Sequence, residues 1–302
     1  MVNVELSSDR SKLRKTIMTL AYILSQPRSG STVLTAILDR RKGIVCMPES
    51  SFPQALGVVT RKEREDKRWM AALYLGSTFP PTPLSFHDAL ACMNGSDEDI
   101  LHALGRALAA KVGRNPDEVR TVVWKTTRTI GMHKAILARH ARFVALRRHP
   151  HNVFESQSRF EYGVKNRKPF RYAVFLQSYE HALNRLPPER TFKIDYDDTE
   201  ERLPALLDFL GIEDQGTWET GGSSLELVAE SCSWLKQITE DFQNTDPEKR
   251  ARLGPEAVAA VDRAIALTRP FRPLMGPLRS YFDNQSMAQI WDVARERLAE
   301  NS

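Results

Sequence analysis

The chain has 302 residues, a formal net charge of +5, and hydrophobic and charged fractions of 41% and 27%, the composition of an ordinary soluble globular protein. That length can bury a large core, in one big domain or two small ones. Its basic residues (pI ≈ 9.1) are spread along the chain without interleaved aromatics, which favours an anionic ligand and argues against a nucleic-acid partner.

No apolar run approaches the roughly 20 residues that a membrane span needs, and 16–24 is too short. Charged residues precede that run, but Gln26-Pro27-Arg28 follows it directly with no small-residue cleavage site, so a signal peptide is not expected. Cys46, Cys92 and Cys232 are few, odd in number and far apart. They point to a reducing, cytoplasmic setting and to neither a disulfide framework nor a thiolate zinc site.

Residues 1–15 are polar and charged and read as a loose arm. The apolar run Ala21-Tyr22-Ile23-Leu24 leads into Ser25-Gln26-Pro27-Arg28-Ser29-Gly30-Ser31-Thr32, and Val33, Leu34, Ile37 and Leu38 follow at helical spacing. That pattern predicts a buried strand, a tight loop and a helix over about 17–40. A phosphate suits such a loop: unpaired N–H groups and the positive dipole end of the helix face it, and Gly30 permits close backbone approach. Ser31 and Thr32 add hydroxyls, and Arg28 adds a fork of donors. An ordinary strand–helix turn with a good cap has the same composition, so both readings stand at this point.

Ile44-Val45-Cys46 suits a second buried strand and leads into Met47-Pro48-Glu49-Ser50. A Glu straight after a parallel strand lies at the carboxyl edge of the sheet, where open α/β sheets bind ligands. On composition alone the better reading of Glu49 is a solvated loop carboxylate or a cap for the next segment. Over 52–118 the strand signal disappears. The spacing there predicts helices over 62–75 and 97–112, the second with Asp97 as its N-cap, separated by the linker Phe79-Pro80-Pro81-Thr82-Pro83. This is a helical insertion that can shape a substrate pocket. His87 and His102 within it read as surface or packing residues.

Strand and helix then alternate. Thr121-Val122-Val123-Trp124 is a strand ending at Lys125-Thr126-Thr127, and 130–140 reads as a helix. Phe143-Val144-Ala145-Leu146 is a strand ending at Arg147-Arg148-His149-Pro150, followed by a helix over 151–160 whose start Pro150 sets. Thr191-Phe192-Lys193-Ile194 ends at Asp195-Tyr196, and the helix after it stops at Gly211. Beyond a flexible connector at 220–224, Asp246-Pro247 and Gly254-Pro255 each predict a helix start. Pro270, Pro273 and Pro277 are expected to break any helix around them, and 285–298 predicts a last amphipathic helix. The expected fold is α/β: a P-loop-like parallel sheet flanked by helices, in a single domain over 1–302 with the insertion at 52–118 and a helical C-terminal region at 216–302.

Parallel strands would gather Arg28 to Thr32, Glu49, Lys125, Arg148 and Tyr196 at one edge. Arg148 and Ser156, at a strand end and inside the next helix, can reach one anion distinct from that at the first loop. Two such sites suggest a ligand phosphorylated at both ends of a nucleoside.

These motifs resemble those of the sulfotransferases that use 3′-phosphoadenosine 5′-phosphosulfate (PAPS). Gln26-Pro27-Arg28-Ser29-Gly30-Ser31-Thr32 is similar to their 5′-phosphosulfate loop. Arg148-His149-Pro150-His151-Asn152-Val153-Phe154-Glu155-Ser156 is similar to their 3′-phosphate motif. Ile194-Asp195-Tyr196-Asp197-Asp198, with Phe209-Leu210-Gly211 beyond, resembles their later strand and helix, whose tyrosine lies near the adenine. The likeness spans about 19–212. Many members carry Lys-Thr-His with the His as base, whereas Lys125-Thr126-Thr127 has Thr at that place. The protein-tyrosine sulfotransferases use a Glu on the loop after the second strand instead, and Glu49 stands in the matching position. Sulfotransferase domains of bacterial polyketide pathways are also similar around the first loop and the Arg-His-Pro segment.

The resemblance implies sulfuryl transfer from PAPS to a hydroxyl, or an amine, of a small-molecule or peptide acceptor, releasing adenosine 3′,5′-bisphosphate (PAP) without a metal. It implies catalytic roles for Glu49, Lys125 and Arg28. It implies donor contacts from Pro27, Arg28, Ser29, Gly30, Ser31, Thr32, Arg148, Ser156 and Tyr196, with Lys236 reaching the 3′-phosphate from a late loop. Ser29 and Thr32 could instead cap the helix, and His149 and His151 could line the 3′-phosphate site or cap near Pro150. Arg147 reads as a sheet-edge residue. Two other functions fit parts of the pattern: a P-loop kinase or NTPase, which would want GxxxxGK[ST] where this loop has one Gly and no Lys, and a catalytically silent nucleotide-binding module.

Overall fold

The computed structural model describes residues 18–79, 82–127, 141–159, 168–213, 216–218, 220–223 and 246–301. The loose arm at 1–15, the helix expected over 130–140 and Lys236 lie outside the described residues. Five strands form one sheet in the order β2-β3-β1-β4-β5, all parallel. They are β1 (Thr19–Ser25), β2 (Ile44–Cys46), β3 (Thr121–Thr126), β4 (Arg142–Arg147) and β5 (Thr191–Asp195). β1 is the centre. Its connection leads to β2 on one side, and β4 lies on the other, so the crevice at the carboxyl end of β1 is a topological switch point.

Alternation along the strands divides the core into two layers. Tyr22, Leu24, Val45, Val122, Trp124 and Phe143 face one side, and Ala21, Ile23, Ile44, Cys46, Val123 and Val144 face the other. Helix α1 (Ser31–Asp39) covers the second face with Leu34 and Leu38, joined by Leu206, Leu207 and Leu210 of a later helix. The first face is covered by the insertion: α2 (Phe52–Leu56), α3 (Arg61–Glu65), α4 (Lys67–Ser77), α5 (Phe86–Cys92) and α6 (Asp97–Lys111). Phe52 and Tyr74 from these helices stack edge-on or tilted around Trp124. Gly105 of α6 crosses over Val122 so closely that a Cβ there would fall 2.5 Å from its Cγ2.

Local hydrogen bonding sets the helix boundaries. The helix expected over 62–75 is two, because Asp66 turns extended between α3 and α4 and its carboxylate accepts from the N–H groups of Arg68 and Trp69. The cap of α6 is Ser96, not Asp97: Ser96 and Asp99 bond each other's backbone N–H in a capping box, which leaves Asp97 in the first turn. The helix after β4 is α7 (Pro150–Arg159), and α8 (Pro169–Leu183) follows, unforeseen in sequence like α2 and α5. α9 (Thr199–Leu210) stops at Gly211 in a left-handed conformation, as expected.

The two starts expected in the C-terminal region are joined in α10 (Asp246–Thr268), kinked at Gly254. After a 3₁₀ segment, Arg269–Leu274, the last helix α11 (Met275–Glu300) begins ten residues before the expected 285. Pro277 does not break it, since it falls in the first turn, where no backbone N–H is needed. α10 packs on α7 and α8 through Val261, Val153, Phe154, Tyr172 and Leu176. α11 returns to the insertion, where Trp291 meets Trp69 of α4 edge-on at 6.3 Å.

Candidate active site

The carboxyl ends of the strands set the expected residues in a row: Glu49 after β2, Lys125 on β3, the 26–32 loop after β1, Arg148 after β4 and Tyr196 after β5. Two residues of the loop have positive φ, Arg28 at 73° and Gly30 at 88°. Gly30 is required twice over: by that φ, and because a Cβ there would lie 2.1 Å from the Tyr196 ring. As the N-cap of α1 it offers no side-chain acceptor, whereas Thr60, Asp66, Ser85 and Ser96 cap α3 to α6. The first-turn N–H groups of α1 therefore suit an anion. Ser29 and Ser31 are buried in the loop.

On one flank of the loop, the buried Lys125 ammonium donates to Thr32 Oγ1 at 3.0 Å and pairs with Glu49 Oε2 at 3.3 Å. Thr127 donates to Glu49 Oε1. Each carboxylate oxygen thus has a named partner, and the side chain keeps 28% of its surface open. Backbone bonds hold it in place: Phe79 N–H donates to the Glu49 carbonyl at 2.7 Å, and Ser50 N–H to that of Lys125 at 3.2 Å.

On the other flank, the Arg28 Nε donates to Ser156 Oγ at 2.9 Å, and Arg148 Nη1 to the Arg28 carbonyl at 3.1 Å. The Arg148 guanidinium lies over the Tyr196 ring, 4.0 Å from its centroid. Gln157 of α7 ties the loop down through the Pro27 carbonyl at 2.9 Å. Burial, and then the neighbouring Arg148, lower the pKa of Arg28, while Glu155 acts in the opposite direction. The Arg28 side chain is turned to Ser156.

The nearby basic residues divide by partner. Arg147 turns to Glu180 at 3.0 Å and Asn184 at 3.2 Å, the sheet-edge role expected of it. His151 Nε2 lies 2.8 Å from Asp262 and ties α7 to α10, as does the bond from Arg252 to the buried Glu155 at 2.9 Å. Burial, then Arg250 and His151, hold His149 below the ordinary histidine range. Thr127, Glu155 and Gln157 escaped the sequence reading of the site. For Thr127 a signal existed, since it follows Lys125 where a histidine is common; Gln157 carries none, because its partner is 130 residues away. Among the described residues no group of three or more His, Cys, Asp or Glu side chains is placed to hold a metal ion, and no helix is long and apolar enough to cross a membrane.

A parallel sheet with a glycine-bearing loop and an uncapped helix N-terminus at its switch point is an arrangement found in nucleotide-binding α/β proteins. The profile described as "Sulfotransferase family" matches residues 21–216, and the chain belongs to that family. Among solved structures it is similar to the sulfotransferase domain from the curacin biosynthetic pathway, with 21% identity, 78% of this chain and 97% of that one covered, and a TM-score of 0.41. It is also similar to the sulfotransferase domain of the Synechococcus PCC 7002 olefin synthase (20% identity, 78% and 92% covered, TM-score 0.40). A third is mouse sulfotransferase SULT7A1 complexed with PAP (12% identity, 82% of each chain covered, TM-score 0.41). The comparison with curated proteins gave no match.

Proposed function

We propose that the chain moves a sulfuryl group from PAPS to a hydroxyl, or an amine, of a small-molecule or peptide acceptor by in-line displacement. One observation carries this reading: the Lys125 ammonium held between the Glu49 carboxylate at 3.3 Å and the Thr32 hydroxyl at 3.0 Å. A base and a cation for the leaving group thereby lie next to the anion-binding loop. The family assignment, and the placing of Arg148 and Ser156 against Arg28, support a donor phosphorylated at both ends of its nucleoside.

Glu49 takes the proton of the acceptor hydroxyl within hydrogen-bond reach. The acceptor oxygen bonds to sulfur as the bond from sulfur to the bridging oxygen of the 5′-phosphate breaks, which leaves the sulfated acceptor, PAP and a proton on Glu49. Protonation removes the negative charge that attracts Lys125. The ammonium is then available to the charge developing on the departing phosphate oxygen, together with the N–H groups of α1. Thr127 orients the carboxylate through its other oxygen. The residues from Pro27 to Thr32 hold the 5′-end, Tyr196 borders the adenine, and Lys236 approaches the 3′-phosphate, the roles that the family resemblance implies.

The test is incubation with sulfur-labelled PAPS and a metabolite library, alongside calorimetric titration with PAP. A labelled product is expected, and Glu49→Gln should lower its rate by about 100- to 10,000-fold while PAP binds as before. Lys125→Ala should lower turnover more than PAP affinity. Binding of ATP with Mg²⁺ but not of PAP would overturn the donor assignment, and full turnover by Glu49→Gln would remove it as base.

A further inference from the structure

Building on the reading of Glu49 as base, we infer that Phe79 selects the acceptor: a hydroxyl carried on an aromatic ring, which packs on the Phe79 side chain while its oxygen meets Glu49.

A short antiparallel bridge fixes Phe79 against Glu49. Ser50 and Thr78 are directly opposed in it. The Ser51 N–H donates to the Ser77 carbonyl at 2.9 Å on one side of that pair, and the Phe79 N–H to the Glu49 carbonyl at 2.7 Å on the other. Glu49 and Phe79 are therefore the next opposed pair. Side chains alternate along such a ladder, so Ser50 and Thr78 share one face, and Glu49 and Phe79 share the other. The register agrees with the hydroxyls of Ser50 and Thr78, which meet at 3.0 Å. Opposed Cβ atoms in a pair of this kind lie about 5 Å apart, within the span of one small ring. The end of α4 is pinned where the bridge begins, since Ser77 Oγ and Thr78 Oγ1 donate to the Tyr74 carbonyl at 3.0 and 2.7 Å.

The two faces differ in exposure. Ser50 and Thr78 are buried, whereas the Glu49 side chain is 28% exposed and Phe79 is 61% exposed. Single exposed apolar residues are common on protein surfaces. Phe79 is set apart by its fixed place beside the carboxylate. A bare ring gives an acceptor no hydrogen bond; it offers a flat apolar face, on which another aromatic ring packs offset or edge-on. A sugar, whose hydroxyls each need a polar partner, gains little there. A phenol also gives up its proton more readily than an alkanol, which suits transfer of that proton to a carboxylate. Phe79 takes no part in bond making. It holds the ring so that the hydroxyl oxygen stands between Glu49 and sulfur.

Transfer from sulfur-labelled PAPS by the full chain is measured on 4-propylphenol, 4-propylcyclohexanol, glucose and a tyrosine-containing peptide. The wild type should favour an aromatic hydroxyl over cyclohexanol and glucose by about 10-fold in kcat/KM. Whichever of the free phenol and the peptide is the better substrate names the source of the ring. Phe79→Ala should lower kcat/KM for it by about 10- to 100-fold, chiefly through KM, and leave PAP affinity within about twofold. Phe79→Tyr keeps the ring and should restore most of the loss; thermal melts verify folding of both variants. Undiminished transfer to the aromatic acceptor by Phe79→Ala would overturn the inference. So would a preference for cyclohexanol or glucose, or a metabolite library whose labelled products all lack an aromatic hydroxyl. PAP binding with no product from any acceptor, or full turnover by Glu49→Gln, would instead overturn the reading of Glu49.

Discussion

Gly30 stands between two parts of the site. Its backbone caps α1, and the space where a side chain would be is filled by the Tyr196 ring that also carries the Arg148 guanidinium. Gly30→Ala therefore incurs about 1–2 kcal/mol of left-handed backbone strain and also pushes Tyr196 away from Arg148. Denaturant unfolding should show the loss of stability, and PAP affinity should fall with it. Adding Tyr196→Ala removes the clash but not the strain, so the double variant should lose less stability than the sum of the two singles. The glycine was legible as a loop residue; its partner was not, because Tyr196 comes from the far edge of the sheet. Glu49 shows the same limit. Its place after β2 was readable, but Lys125 on β3 and Thr127 just after it hold its two oxygens, and only the pairing of those strands brings them together.

Among the elements, the docking of α11 on the insertion is the contact least visible in sequence. Trp291 meets Trp69 edge-on and its indole N–H donates to Glu63 Oε1 at 3.0 Å. A double-mutant cycle between Trp69→Ala and Trp291→Ala, read from urea unfolding, should give a coupling of about 0.5–1.5 kcal/mol. Additive losses would show that α11 is held by other contacts. Strands and the αβ helices were readable because their periodicity is local. The break at Asp66 and the cap at Ser96 turn on which polar side chain meets which free N–H, and several residue types in each stretch could have done it.

For the molecule as a whole, one buried ion pair joins parts that are distant in sequence. Asp39 at the end of α1 has no exposed surface, and Arg114, 2% exposed, donates to both its oxygens at 3.1 and 3.3 Å. The Cys46 N–H at the end of β2 and the Ser223 hydroxyl complete the carboxylate at 2.8 and 2.9 Å. Burial first, and then Asp39, push the Cys46 thiol well above its ordinary pKa, so it stays an inert core group. Asp39→Asn leaves the Arg114 charge buried without its counter-ion and should cost about 3–5 kcal/mol in chemical unfolding. A loss under about 1 kcal/mol would mean that Arg114 turns to solvent when the carboxylate goes.

The amino-acid sequence by itself determined the parallel α/β class, the strand–loop–helix unit around 26–32 and the strand and helix that carry Arg148 and Ser156, because each depends on apolar period and short spacings within a few tens of residues. Tertiary structure alone decided how those parts meet. The strand order puts β3 between β2 and β1, so Lys125 lies between Glu49 and the loop. It puts β4 on the other side of β1, so Arg148 and Ser156 meet Arg28. Which strands become neighbours is set by burying both faces of the sheet at once, a condition on the whole chain that no local stretch encodes.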